Sequence, residues 1–91
     1  MIVARRFLVR GRVQGVGFRY FTAQAAGADG IHGWVRNTPA GDVEIEAEGD
    51  REAMYRFEMR VRLGPPASRV DAVDTDEVEP TGRASGFTVR G

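Results

Sequence analysis

Phe7-Leu8-Val9-Arg10-Gly11-Arg12-Val13 runs through Gln14-Gly15-Val16-Gly17 into Phe18-Arg19-Tyr20-Phe21-Thr22-Ala23-Gln24-Ala25-Ala26-Gly27-Ala28, and the hydrophobic period changes at that junction. Before it, Phe7, Val9, Gly11 and Val13 fall on one face and mostly Arg on the other, the alternation of a half-buried strand. After it, Phe18, Phe21, Ala25 and Ala28 recur at helical spacing, with Gly30 placed to stop the helix. The chain therefore passes from strand to helix through a tight, glycine-bearing loop.

The same reading extends downstream. Ile31 to Thr38 resumes extended character, Pro39-Ala40-Gly41 supplies a turn, and Asp42-Val43-Glu44-Ile45-Glu46-Ala47-Glu48 alternates without a fault, which predicts a hairpin. Asp50 occupies an N-cap position before a second helix, in which Met54, Phe57 and Val61 share one face. Glu52/Arg56 and Glu58/Arg62 stand four apart as expected ion pairs, and Gly64-Pro65-Pro66 ends the helix. Ser68 to Val78 and Phe87 to Arg90 read as extended segments joined by a loop from Pro80 to Gly86. The order strand, helix, strand, strand, helix, strand predicts an α+β, ferredoxin-like split βαβ sandwich (βαββαβ), an antiparallel sheet with two helices on one face, plus a short final strand. That fold hosts many unrelated activities, so function has to be argued from the loops.

Composition removes several classes of chemistry. With 91 residues, 42% hydrophobic and 29% charged, the expectation is one domain over residues 1–91. The chain contains no Cys, which excludes disulfides, thiolate zinc sites and thiol nucleophiles, and a single His32 cannot build a histidine-rich metal cluster. Met1-Ile2-Val3-Ala4-Arg5-Arg6 is too short an apolar run for a signal peptide or a membrane span, so a soluble, cytoplasmic protein is expected. All 13 basic residues are Arg, which excludes lysine Schiff bases and P-loop lysines and supplies forked guanidinium groups suited to phosphate and carboxylate. Residues 1–37 carry six Arg against Asp29 alone, a net of +5, and residues 38–91 carry seven Arg against twelve acids, a net of −5. This asymmetry predicts a positive field in the first part of the chain, suited to a small anion and not to nucleic acid.

The loop Gln14 to Arg19 is where such an anion would sit. Glycines permit φ > 0 and close approach, successive N–H groups form a concave nest, and the helix N-terminus adds partial positive charge. A tight turn with glycine for geometry alone explains most such loops, but Arg19 is a cation in the first helical turn, where the helix dipole opposes it. No acid lies between Arg10 and Thr22 to compensate it. The stretch lacks the Lys-Ser/Thr of a nucleotide P-loop and the third glycine of a dinucleotide fingerprint. Gly15-Val16-Gly17-Phe18-Arg19-Tyr20-Phe21 has a faint likeness to the aromatic signature of RRM domains, but it opens the first helix instead of occupying the third strand.

Two segments, Gly11-Arg12-Val13-Gln14-Gly15-Val16-Gly17-Phe18-Arg19 and Gly33-Trp34-Val35-Arg36-Asn37-Thr38-Pro39-Ala40-Gly41, resemble the two signatures of the acylphosphatases. The strand order and the C-terminal Gly86-Phe87-Thr88-Val89-Arg90 fit that family over nearly the whole chain. The resemblance implies hydrolysis of an acyl phosphate to a carboxylate and orthophosphate without metal or cofactor; a monomer with no nucleic-acid or membrane partner is expected. It implies that Arg19 binds phosphate with the amides of Gln14, Gly15, Val16, Gly17, Phe18 and Arg19, and that Asn37 positions the attacking water. A competing reading is a module that keeps the cradle without turnover, since similar domains occur fused in hydrogenase-maturation proteins that handle carbamoyl phosphate. Other residues are expected to be structural. His32 reads as a surface histidine, and Trp34 as packing on the open sheet face, stacked on Arg. Asp71, Asp74, Asp76, Glu77 and Glu79 read as a solvated strand face, since Asp74 to Glu79 lacks the glycine of a calcium loop. Arg12 and Arg36 flank the motifs and either steer anions or decorate the surface.

Overall fold

In a computed structural model, which describes residues 1–82 and 86–91, the chain forms β1 (Ile2–Arg12), α1 (Phe18–Asp29), β2 (His32–Asn37) and β3 (Val43–Asp50). These are followed by α2 (Arg51–Leu63), β4 (Arg69–Val78) and β5 (Phe87–Val89). The sheet order is β4-β1-β3-β2-β5, with β1 antiparallel to both β3 and β4, and β2 antiparallel to β3. This is the ferredoxin-like α+β sandwich. The expectation of a wholly antiparallel sheet is corrected at one edge, because β5 runs parallel to β2 and makes the five-stranded sheet mixed. The connecting loop carries the chain from β4 across to the far edge. Part of it, residues 83–85, lies outside the described residues, but its first part is tied to β3: buried Glu48 accepts bonds from Thr81 N at 2.8 Å, Thr81 Oγ1 at 2.9 Å and Gly82 N at 2.9 Å.

One face of the sheet supplies Phe7, Val9, Val35 and Ile45 to a core closed by Phe18, Ala25 and Ala26 of α1 and by Met54, Phe57 and Val61 of α2. Phe7 and Phe57 meet with ring centroids 6.1 Å apart. Each such large side chain contributes roughly 1.5–3 kcal/mol by leaving water. The buried stripe of α1 is Phe18, Thr22, Ala25 and Ala26, so Ala28, expected inside, is exposed. Thr22 can take an apolar position because its hydroxyl donates to the Phe18 carbonyl at 2.9 Å, one turn back in the same helix. On α2, Arg62 bonds Glu58 at 3.0 Å as expected, whereas Arg56 reaches across to Asp29 at the end of α1, 3.2 Å away, and not to Glu52.

Charge shows the largest departure from expectation. Arg5 meets Glu77 at 3.0 Å and Glu58 at 3.2 Å, Arg10 meets Asp74 at 3.1 Å, and Arg6 and Arg36 clasp Glu44 at 2.7 and 2.6 Å. The antiparallel register sets Arg5 opposite Glu77 and Arg6 opposite Asp76, so β4 neutralises the arginines of β1 strand to strand. The broad positive field expected of the first 37 residues is thereby dismantled. The acids of β4 form the solvated face expected of them, and Asp74, Asp76 and Glu77 on it are also the counter-charges of β1. Burial pushes the Glu44 carboxyl up, but hydrogen bonds from Arg36 and Arg6, with their charges, outweigh it and hold the group below its ordinary value.

Candidate active site

The loop after β1 closes on Gly15 and Gly17 with φ of +73° and +77°, and Gly17 is the N-cap of α1. A Cβ added at either would meet nothing within 4 Å, so it is the backbone angle and not crowding that calls for glycine. No side chain caps α1 and its first turn contains no acid. Its leading N–H groups, which have no carbonyl partner within the helix, are left for an outside acceptor.

Beside them lies a hollow of about 160 Å³ lined by Val13, Gly15, Gly17, Phe18, Arg19, Tyr20 and Asn37. A water takes about 30 Å³ in the liquid, so the space suits a small anion with little solvent. Arg19 enters from the first turn of α1, where its Nη1 donates to the Arg90 carbonyl at 2.8 Å just beyond β5. Among the described residues no carboxylate pairs with it, so its charge remains available to a ligand. Asn37 enters from the end of β2, and its Oδ1 is buried without a hydrogen-bond donor among the described residues. Such a group is costly unless something donates to it.

Of the residues singled out from the sequence, Gly15, Gly17, Phe18, Arg19 and Asn37 share this hollow. Val16 is half-buried against the core, and the Gln14 side chain turns away to bond the Thr38 carbonyl at 2.8 Å and the Asp42 carbonyl at 3.0 Å. Three participants were missed. Val13 lies in the first signature but reads as a strand residue with no site role, Tyr20 carries no signal beyond following Arg19, and the Arg90 carbonyl cannot be anticipated without knowing where β5 lies. Trp34 stacks on arginine as expected, and the partner is Arg90, whose guanidinium sits 4.5 Å over the ring. Arg36 is occupied by Glu44, and exposed Arg12 lies outside the lining, as does half-buried His32. A wider depression of about 580 Å³ along Arg51, Glu52, Tyr55 and Arg56 is open helix surface and gathers no comparable set of groups. Among the described residues no three His, Cys, Asp or Glu side chains gather as a metal site, and no helix is long and apolar enough to cross a membrane.

The family model described as Acylphosphatase matches residues 5–89. A protein named Acylphosphatase from Anaeromyxobacter dehalogenans is 46% identical over 97% of this chain and 95% of its own length. The crystal structure of acylphosphatase from Bacillus subtilis superposes with a TM-score of 0.93 at 38% identity, covering all of both chains. A segment of full-length HypF, in a phosphate- and nucleotide-bound form, superposes with a TM-score of 0.91 at 34% identity, covering all of this chain and 12% of that one. An uncapped glycine loop facing Asn37, a family match from residue 5 to residue 89 and a relative 46% identical over almost its full length lead to one assignment: the chain belongs to the acylphosphatase family.

Proposed function

We propose that, in the hydrolysis of acyl phosphates performed by this enzyme family, Arg19 and the loop amides from Gln14 to Arg19 hold the phosphoryl group while Asn37 positions water. The observation that carries this reading is the pairing of opposite demands in one hollow: a guanidinium without a carboxylate, and an amide oxygen without a donor, among the described residues. An anion answers the first and a water O–H answers the second.

The chemistry asks for little more. Water attacks phosphorus in line, the bond from phosphorus to the acyl oxygen breaks, and a carboxylate leaves without needing an acid. Asn37 is no base, so the proton of the water passes to a phosphoryl oxygen of the substrate. One preorganised donor at such a site is worth roughly 3–4 kcal/mol, which suffices for an already activated anhydride. A module that only binds phosphate has no use for a water-holding amide, which favours turnover over mere binding. The working unit we propose is a single copy of the domain over residues 1–91, acting in the cytoplasm, because one chain supplies every residue of the hollow.

Turnover of acetyl and benzoyl phosphate, followed by orthophosphate release with and without a metal chelator, tests this reading. Chelator-resistant hydrolysis inhibited competitively by orthophosphate is expected. Folded protein that turns over neither substrate overturns the catalytic reading, and loss in chelator restored by added metal overturns the mechanism.

A further inference from the structure

Gln14 departs from the rest of its loop, because its side chain crosses from the cradle to the second motif. Its single Nε2 spends both hydrogens there, on Thr38 O and on Asp42 O. Those carbonyls already have partners inside their own turn. Thr38 N donates to Asp42 O at 2.8 Å, and Gly41 N donates to Thr38 O at 3.1 Å. Asp42 N also donates to Thr38 Oγ1 at 3.2 Å. The turn is therefore hydrogen-bonded without Gln14, and removing its amide leaves neither carbonyl without a donor.

What the amide adds is placement. Asn37 pairs with Val43 at the end of the β2–β3 ladder, and the two carbonyls held by Gln14 belong to the residues next to that pair, Thr38 and Asp42. Two bonds from one planar group restrict both the sliding and the rotation of the hairpin end against the loop from Gln14 to Gly17. We infer that Gln14 is a positioning residue that sets the separation between the phosphate cradle and the water placed by Asn37. This rests on the reading of Asn37 given above. Misplacement by about 1 Å is enough to cost on the order of 100-fold in rate, so two surplus hydrogen bonds at this junction carry a kinetic consequence out of proportion to their effect on stability.

The test is a double-mutant cycle. Gln14→Met keeps the length and loses the donors. It should stay folded by circular dichroism and lower kcat roughly tenfold or more, while the orthophosphate inhibition constant stays within about threefold. Gln14→Asn keeps the donors but stops one methylene short, and should show the same split. In an Asn37→Ala background, Gln14→Met should cost less than about twofold more, because the water it helps to place is already lost. An equal loss in both backgrounds overturns the inference, as does an unchanged kcat in the folded single variants. A loss of phosphate affinity that parallels kcat assigns Gln14 to the cradle and also overturns it. Failure of the underlying reading shows separately, as an Asn37→Ala single variant with undiminished kcat.

Discussion

The two helices begin in opposite ways. At α2, Asp50 in extended geometry accepts the Glu52 N–H at 3.1 Å, and Glu52 adds negative charge to the first turn. At α1, Gly17 in the left-handed region offers no side chain, the first turn has no acid, and its one charged residue is Arg19. Helix α2 is closed by its own sequence. Helix α1 carries an uncompensated pole to which its own cation adds, an arrangement unfavourable to a helix in isolation. The contrast places the local instability at the loop where, on the function proposed above, a bound anion would supply what the sequence withholds.

Removing the cation is the hardest blow to that contrast. Arg19→Ala should lower kcat by roughly 100- to 1000-fold and weaken orthophosphate inhibition as well, because in the proposed role the guanidinium touches the phosphoryl group before and during reaction. Arg19→Lys should recover little, lacking the fork. Steady-state kinetics with orthophosphate as inhibitor checks both, and a folded Arg19→Ala enzyme with intact phosphate affinity removes the arginine from the site. Next in size, Asn37→Ala should lower kcat by roughly 100-fold while the phosphate inhibition constant moves less than about threefold, since water placement matters chiefly on the way to the transition state. If it loses phosphate as severely as Arg19→Ala does, Asn37 is a ligand of the anion.

A smaller effect tests the idea that the anion serves α1 as Asp50 serves α2. Orthophosphate at about ten times its dissociation constant should stabilise the native protein by about 1.4 kcal/mol, read as a rise in melting temperature. Arg19→Ala should lose most of that rise at the same phosphate concentration. Asp50→Ala should lower the melting temperature in all conditions yet keep the phosphate-induced rise and leave kcat within about twofold. A phosphate effect that survives Arg19→Ala intact arises elsewhere on the surface.

What the sequence made legible divides along the same line, between local and distant causes. The β1-to-α1 junction was readable because the hydrophobic period changes within a few residues of glycines that permit the turn. Asp50 was readable because capping depends on the next two residues. Arg56, by contrast, chose Asp29 on the neighbouring helix over Glu52 on its own, a choice made by helix packing. The direction of β5 depended on which edge a long loop delivers it to. Counting charges along the chain gave a positive first part, and pairing between β1 and β4 cancelled most of it, since a count carries no register. At the site, Arg19 and Asn37 stood out by type and motif. The Arg90 carbonyl and the crossing side chain of Gln14 did not, because each depends on where a remote segment lands.

The smallest expected effect lies at the closed end of the comparison and is read in acid. The N–H of Glu52, and then the amino terminus 3.4 Å away, hold the Asp50 carboxyl below its ordinary value of 3.8. A carboxyl whose folded value is depressed stabilises the fold fully above its unfolded value, and that contribution is lost as pH falls through the folded one. Stability should therefore decline below about pH 4 in part through this cap, and the part is modest because the side chain is exposed and screened. Glu44 declines in the same direction, so the wild-type curve alone cannot isolate Asp50. Asp50→Asn separates them: asparagine caps a helix comparably but does not titrate, while Glu44 is the same in both proteins. Urea unfolding between pH 5 and pH 2.5 should show the wild type losing more stability than Asp50→Asn. Superimposable acid limbs would mean that the charge on Asp50 contributes nothing, leaving α2 closed by hydrogen bonding alone.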